Sequence, residues 1–365
     1  MQGIYWRGLF FLDMYLPFGL CSAPYIFTSL MDLFVWICNH HYNLSNLSHF
    51  VDDFIYVAPP SEAWSSYKNF QNIASIFGVP FKVSKFIAPS PSIDYIGFHL
   101  DAPSMTISIP AEKRTRISTL LTSWLEISPP RSNPRSRSLS EARSLLGHLM
   151  HIVQILPEGK IFCDRLIRFT LGWKPPSTGR HHLSSGLCTD LNWWLETLQK
   201  WPGRYLISLS TWVDIGLYTD ASGALGAGAF LGHQWWCLRW ATPFQSNSGG
   251  YDIFWKEMFA IWVSLTLWGP SFRGRYIIVH CDNQACVESL SKGRAPHHSL
   301  VNDLIRRIVL LQLELEFRIQ ARYIESVSNP ADSLSRLTNL PSHPQEPLPA
   351  SVVSLFGSII ALMPV

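Results

Sequence analysis

Gly216-Leu217-Tyr218-Thr219-Asp220-Ala221-Ser222 and, further on, Tyr276-Ile277-Ile278-Val279-His280-Cys281-Asp282 decide the fold. In both, a short run of strand-forming residues ends at an aspartate, and the length of the second run marks a buried strand. Outward from them, Gly226 to Phe230 reads as another strand, whose small residues let backbones approach closely. Phe254 to Trp268 and Leu300 to Glu314 read as helices, and Glu316 to Ile324 as a further strand. Strand and helix patterns thus alternate from Val213 to about Leu337, which defines a separate α/β unit.

Four acids in this unit occupy positions suited to metal chemistry. Asp220 follows one strand and Asp282 ends another. Glu257 lies one turn into the apolar helix, and Asp332 follows Asn329-Pro330 at the start of a final helix. Acids at strand ends reach the crevice outside the carboxyl edge of a sheet, so two of them and a helix acid can converge on one point. Hydrolysis of a phosphodiester needs a nucleophilic water and stabilisation of the departing oxygen. Two divalent ions ~4 Å apart supply both, and carboxylates are the hard ligands that hold Mg²⁺. Without a cation such a cluster repels itself. Each acid alone is more often a turn residue or a helix cap than a ligand, Asp332 an N-cap in particular; the set of four is the stronger signal.

The rest of the chain places this unit. With 365 residues, 47% of them apolar, it can hold two or three domains with real cores and is not a disordered chain. The 15 Trp suit cores and surface anchors, and some could stack on bases. Residues up to about Ser104 mix aromatic strands with a helical run from Ala23 to His40. Within them Phe50-Val51-Asp52-Asp53-Phe54 reads as a hairpin-like turn. Ile109 to about Trp173 is helical; Ser138 and Glu141 form a capping box ahead of Leu139, Ala142, Leu145, Leu146, Leu149, Ile152 and Val153. Ser128 to Ser138, rich in Pro, Ser and Arg, is a loop. Pro175 to Trp212 reads as a connection with a short helix near Asp190 to Lys200, and the chain after Leu340 as a tail.

A net charge of +3 is too small to establish a nucleic-acid partner, but its distribution is informative. Between Ile109 and Leu145, Lys113, Arg114, Arg116, Arg131, Arg135, Arg137 and Arg143 face only Glu112, Glu126 and Glu141. That basic segment fits a solvated face or a phosphate-tracking one. The 7 Cys form no Cys-x-x-Cys pair, which favours a reduced, intracellular protein over a disulfide scaffold or zinc module. Neither Met258 to Trp268 nor Val352 to Val365 is long enough to span a bilayer, and no signal segment opens the chain.

Tyr218-Thr219-Asp220-Ala221-Ser222, Lys256-Glu257, Cys281-Asp282-Asn283-Gln284-Ala285 and Asn329-Pro330-Ala331-Asp332-Ser333-Leu334-Ser335-Arg336 resemble the ribonuclease H domain of retrotransposon polyproteins. The resemblance implies a mixed five-stranded sheet with flanking helices and two-metal cleavage of RNA in RNA:DNA hybrids. Mg²⁺ or Mn²⁺ would be held by Asp220, Glu257, Asp282 and Asp332. Tyr323 to Asp332 lacks the His that many relatives carry in this loop, leaving Arg322, Glu325 or water to take its part. Upstream, Leu16-Pro17-Phe18-Gly19-Leu20-Cys21-Ser22-Ala23-Pro24-Tyr25-Ile26-Phe27 resembles the template- and nucleotide-positioning segment of retrotransposon reverse transcriptases. Asp52-Asp53 resembles the palm's aspartate pair, which implies Asp52 as a metal ligand. Gly78-Val79-Pro80 with Lys85, and Tyr95-Ile96-Gly97-Phe98, resemble the rest of the palm. Leu145-Leu146-Gly147-His148-Leu149 resembles the thumb. Trp193-Trp194 and the Cys-Asp-Asn-Gln-Ala run look most like the DIRS class.

The expected organisation is a partial palm over 1–104, a thumb-like helical region over 105–174, a connection over 175–212, a ribonuclease H-like domain over 213–337 and a tail over 338–365. The family's third polymerase carboxylate lies upstream of the Leu-Pro-Phe-Gly segment, and Asp13 stands too close to Leu16 to serve. The expected activity is therefore ribonuclease H, with Pro17, Phe18, Gly19, Lys113, Arg114, Arg116 and Arg143 contacting nucleic acid and the polymerase site incomplete. An inactive nucleic-acid-binding relic, or a polymerase completed by another chain, are the alternatives. A palm lacking its edge should also expose apolar surface around Trp6, Phe10 and Phe11.

Overall fold

The aromatic N-terminal run folds as a hairpin in the computed structural model, which describes residues 3–12, 16, 19–126, 136–173, 179–206, 211–244 and 251–361. The chain divides into two compact units, Met1–Lys113 with Gly203–Leu206, and Arg114–Pro202 with Ile207–Val365.

In the first unit β1 (Gly3–Trp6) pairs antiparallel with β2 (Leu9–Leu12) across a turn in which Arg7 and Gly8 both take positive φ. Trp6, Phe10 and Phe11 are exposed, Phe10 at 84%. Helix α1 (Ala23–His41) starts with Pro24 in its first turn, where a missing N–H costs nothing. Its Phe34 and Cys38 pack with Leu44, Leu47, Ile73 and Ala74 into a small core. That core is closed by the hairpin β3 (Leu47–Phe50) and β4 (Asp53–Tyr56) and by α2 (Ala63–Ile76). Strands β5 (Ser92–Tyr95), β6 (Phe98–Asp101) and β7 (Thr106–Ser108) follow as an antiparallel meander.

Helix α3 (Ala111–Leu125) then carries the chain into the second unit, where it buries Ile117, Leu121 and Trp124. After β8 (Ser136–Arg137), α4 (Leu139–Val153) begins at the expected capping box: the Ser138 hydroxyl accepts from Glu141 N, and Glu141 Oε2 accepts from Ser138 N at 2.7 Å. Helix α5 (Asp164–Leu171), β9 (His181–His182) and α6 (Ser185–Lys200) complete the helical region. Helix α6 begins earlier than its apolar periodicity indicates because the Ser184 hydroxyl caps it, accepting from Leu187 N. The short β10 (Arg204–Tyr205) returns to the first unit and pairs with β7.

The α/β part is built on β11 (Trp212–Ala221), β12 (Gly226–Leu231), β13 (Gln234–Trp240), β14 (Tyr276–Cys281) and β15 (Arg318–Tyr323). Strands β11, β12 and β13 form an antiparallel meander, while β14 and β15 add in parallel beside β11. This is the mixed five-stranded sheet that the resemblance implied, in the order β15-β14-β11-β12-β13. Parallel neighbours need helical crossovers, and α7 (Ile253–Trp268), α8 (Gln284–Lys292) and α9 (Ser299–Glu314) supply them. Helix α7 is buried nearly all round because it lies against the sheet on one side and α9 on another. Helix α10 (Asp332–Ser335) packs on β12 at Gly228, where a Cβ would stand 2.5 Å from that of Leu334. Glycine is required there for α10 to approach.

The segment after Leu340, expected as a tail, carries α11 (Ala350–Phe356) and β16 (Ile360–Ala361), and β16 pairs with β13 as a sixth strand. Phe356 meets Trp255, Phe259 and Trp262, with ring centroids 5.2 to 6.0 Å apart. The helical region is fixed to the α/β part by charge. Asp190 of α6, fully buried, receives Arg165 at 2.9 Å and Arg306 of α9 at 3.1 Å, and Asp164 receives Arg294 at 2.7 Å. Removing Asp164 would take from Arg294 its carboxylate, and removing Asp190 would leave Arg165 and Arg306 only the half-exposed Asp303, at 3.0 and 2.6 Å.

Candidate metal centre

A β-bulge prepares the site. The pairing of β11 with β14 shifts register between Asp214 and Leu217, where Gly216 takes φ 71°, and then sets Thr219 opposite Cys281. Asp220 and Asp282, each the next residue, therefore emerge side by side at the carboxyl ends of neighbouring parallel strands. Glu257 arrives from the second turn of α7, whose start is fixed by Asp252 accepting from Trp255 N. Asp332 arrives as the first residue of α10. All four acids line one cleft of about 320 Å³.

The four differ in setting. Asp220 and Glu257 are buried, while Asp282 and Asp332 are partly exposed. Burial pushes the Asp220 carboxyl up to about 7 against the pull of Ser335, and the charges of Asp282 and Asp332 add to the rise. Burial also raises Glu257 well above the usual carboxylate range, with Cys281, Asp220 and Asp282 contributing. One oxygen of Glu257 accepts from Ala221 N at 3.1 Å. Asn329 Nδ2 donates to the Thr219 carbonyl at 3.0 Å and reaches Asp220 Oδ1 at 3.5 Å, so Asn329 ties the loop before α10 to the end of β11. Asp332 is held by Arg336 Nε, at 2.8 and 2.9 Å from its two oxygens.

Among the described residues, one trio of metal-ligating side chains converges tightly: one atom each from Glu257, Cys281 and Asp282, all within 4.8 Å of one another. Asp220 and Asp332 line the same cleft outside that trio. Two carboxylates driven toward protonation by burial and by like charges fit a cation, which would relieve both causes at once.

Sequence reasoning named the acids and missed what holds them. Asn329, Ser335 and Arg336 stood inside the quoted motif without roles; the i, i+4 spacing of Asp332 and Arg336 was the available signal for that pair. Arg336 lines the cleft, whereas Arg322 stands 3.9 Å from Asp214. Lys256, buried beside Glu257, donates to the Gly223 carbonyl and lies over the Trp240 ring, which pins the turn after Asp220. No periodicity signals such a contact.

The remaining candidates lie elsewhere. Asp52 and Asp53 sit at the exposed β3–β4 turn, where Val51 has φ 56° and Tyr95 Oη donates to the Asp53 carbonyl at 3.0 Å. Among the described residues no trio of metal-ligating side chains includes them. Asp13, Pro17 and Phe18 lie outside the described residues; Gly19 is in a turn with φ 89°. Lys113 donates to the Gly97 carbonyl at 3.2 Å, and Arg116 of α3 and Arg143 of α4 are exposed, Arg114 partly so. Arg131 and Arg135 lie outside the described residues, with most of the Ser128–Ser138 loop. No described helix is long and apolar enough to cross a membrane.

No protein-family model matches the sequence, and no curated protein matches it. Among solved structures, a foamy viral protease-reverse transcriptase in complex with RNA/DNA hybrid aligns with 95% of this chain and 43% of its own, at 17% identity and a TM-score of 0.44. A dRH form of that protein with double-stranded DNA aligns at 15% identity and a TM-score of 0.45, covering 89% of this chain and 53% of its own. A further complex with double-stranded DNA gives 16% and 0.44, covering 89% and 63%. The chain spans between 43% and 63% of the length of these viral chains.

Proposed function

We propose that the α/β part of the second unit is a ribonuclease H, hydrolysing the RNA strand of RNA:DNA hybrids with two divalent ions, Mg²⁺ or Mn²⁺, within a reverse transcriptase/ribonuclease H chain of a retroelement, DIRS-like by its motifs. The observation that carries this reading is the delivery of four carboxylates to one cleft by four separate elements, β11, α7, the end of β14 and α10. A structural role explains an acid at a turn. It does not explain two buried carboxylates kept beside each other at the energetic cost that burial and mutual repulsion impose.

In this reading Asp220, Glu257, Asp282 and Asp332 hold the ions, which would activate the attacking water and stabilise the departing 3′ oxygen. Asn329 keeps the Asp220 carboxylate aimed into the cleft, and the Ala221 amide orients Glu257. Arg336 balances Asp332 and stands at the cleft wall, where it can pair with a backbone phosphate of the hybrid. Arg114, Arg116 and Arg143, with Lys113, contact phosphates without reading sequence. Asp52 and Asp53 stand exposed, and among the described residues no trio of metal-ligating side chains includes them, so labelled-primer extension by these 365 residues should show no Mg²⁺-dependent nucleotide addition.

The test is cleavage of a labelled RNA strand in an RNA:DNA duplex with Mg²⁺, native chain against Asp282→Asn. Cutting that vanishes in the variant supports the reading. A folded native chain that binds hybrid and cuts nothing would leave a nucleic-acid-binding relic in its place.

A further inference from the structure

Cys281 has no part in a hard-ion nuclease, yet it is one of the converging trio. Its Sγ donates to Glu257 Oε2 across 3.8 Å, a long and weak hydrogen bond, and the Glu257 side chain is almost wholly buried. The sulfur in turn receives the Asn283 backbone N–H at 3.4 Å. The sequence explains the placement: Cys281 is the last residue of β14, with its side chain against α7, and Asp282 follows at the strand's end.

Mg²⁺ takes oxygen ligands, so a thiolate adds nothing to its site. A borderline-soft divalent ion is different. Zn²⁺ binds thiolate at ~2.3 Å and carboxylate at ~2.0–2.2 Å, which in a tetrahedron puts sulfur and oxygen ~3.5 Å apart. The 3.8 Å between Cys281 and Glu257 needs a shift of only a few tenths of an ångström. One thiolate, two carboxylates and a fourth position open to water then complete the coordination.

We infer that Cys281, Glu257 and Asp282 form a thiol–carboxylate site for Zn²⁺ and its heavier congener Cd²⁺, and that a bound thiophilic ion excludes the hard ions from the cleft. On binding, the Cys281 thiol releases its proton to solvent and the sulfur–metal bond replaces a metal-bound water. No electron changes hands. The binding stands on the trio alone; the exclusion of the hard ions as an inhibitory effect rests on the nuclease reading.

The experiment titrates the full chain with Cd²⁺ in excess Mg²⁺ and follows the sulfur-to-cadmium charge-transfer absorption in the ultraviolet. The chain carries seven free thiols, so the difference spectrum between native chain and Cys281→Ser is read, with Cys286→Ser as a control for the neighbouring buried thiol. The expected result is a one-to-one band lost in Cys281→Ser and kept in Cys286→Ser. With Mg²⁺ present, the Zn²⁺ concentration for half-inhibition of RNA cleavage should rise by about tenfold or more in Cys281→Ser, the scale on which even outer ligand partners act. Zinc should also slow the alkylation of Cys281 in the native chain, a buried thiol that reacts through local opening, beyond the protection that Mg²⁺ alone gives, mapped by mass spectrometry; this reading needs no variant to fold. A band that persists in folded Cys281→Ser, or alkylation of Cys281 unchanged by Zn²⁺, overturns the site. A native chain that cuts no RNA but shows the Cys281 band removes the nuclease reading and leaves the metal site standing.

Discussion

Replacing Asp220 by Asn should stabilise the metal-free protein while weakening its response to Mg²⁺. Asp220 has its carboxyl pushed from the usual 3.8 of an aspartate to about 7, burial first and the Asp282 and Asp332 charges after it. A carboxylate whose folded pKa is raised contributes stability that is complete below its unfolded pKa. That stability is lost as pH climbs through the folded value. Stability should therefore fall between about pH 4 and pH 7 and level off above. A gap of about three units, at ~1.4 kcal/mol each, gives ~4 kcal/mol at pH 8. Sharing of the repulsion with Glu257 and Asp282 cuts this to ~2 kcal/mol. Asn fills the same space and still accepts from Asn329. Two compact units make a single unfolding curve ambiguous. The readout is therefore the protection of β14 amides against hydrogen exchange, at pH 5 and pH 8, with chelator or with Mg²⁺. Asp220→Asn should gain ~2 kcal/mol at pH 8 with chelator, gain little at pH 5, and lose most of the added protection that Mg²⁺ gives the native chain. A variant destabilised at both pH values, or one that keeps the full Mg²⁺ effect, would refute the view that Asp220 is held at a cost recovered by a cation.

Gly228→Ala should push α10 away, since its Cβ would stand 2.5 Å from the Leu334 Cβ and 2.9 Å from the Trp236 carbonyl; RNA cleavage should drop at least about tenfold while far-ultraviolet circular dichroism stays native. Phe356→Ala should cost ~2 kcal/mol of β14 exchange protection by opening the aromatic cluster with Trp255, Phe259 and Trp262, and unchanged protection would show that the C-terminal segment is not part of the core. Asp190→Ala should cost about 2–3 kcal/mol in the same assay, less than a fully broken buried pair, because Arg165 and Arg306 lose their buried partner but keep Asp303. Hybrid affinity should fall steeply with salt, and joint replacement of Arg114, Arg116 and Arg143 by Gln should flatten the slope of log affinity against log salt by about 2–3; an unchanged slope would place the phosphate contacts elsewhere.

The acids were legible because each ended or opened an element whose pattern is local. Asp282 closes an apolar run that can only be a buried strand, and Glu257 sits one turn into a helix apolar on every side, so both could be placed before any tertiary contact was known. The mixed five-stranded sheet followed from the resemblance, without its strand order; the physical basis is the alternation of strand and helix, which suits the parallel pairs β11–β14 and β14–β15. Strand β13 went unread. Gln234 to Trp240 holds three Trp and no turn-bounded alternation, because both of its faces are covered, one by α10 and the other by α7 at Trp236 and Ser264. Helix α8 was missed for the opposite reason: nine residues with little apolar content, defined by the Asn283 cap and by Gly293 in the left-handed region.

The C-terminal segment shows why the limit lies at long-range contacts. Its prolines and short apolar end carry no period, so nothing local announces a fold. Its order comes from partners more than a hundred residues away. The Trp235 indole donates to the His343 carbonyl at 3.2 Å, Cys237 N to Gln345 Oε1 at 3.3 Å, and Ala241 N to the Ile359 carbonyl at 3.0 Å. Those bonds cover the outer edge of β13, which otherwise would present unpaired N–H and C=O groups. The same strand ends at Trp240, whose indole donates to the Ser222 carbonyl at 2.8 Å in the turn after Asp220. The segment that looked least informative therefore braces, through β13, the loop that carries the first acid of the cleft.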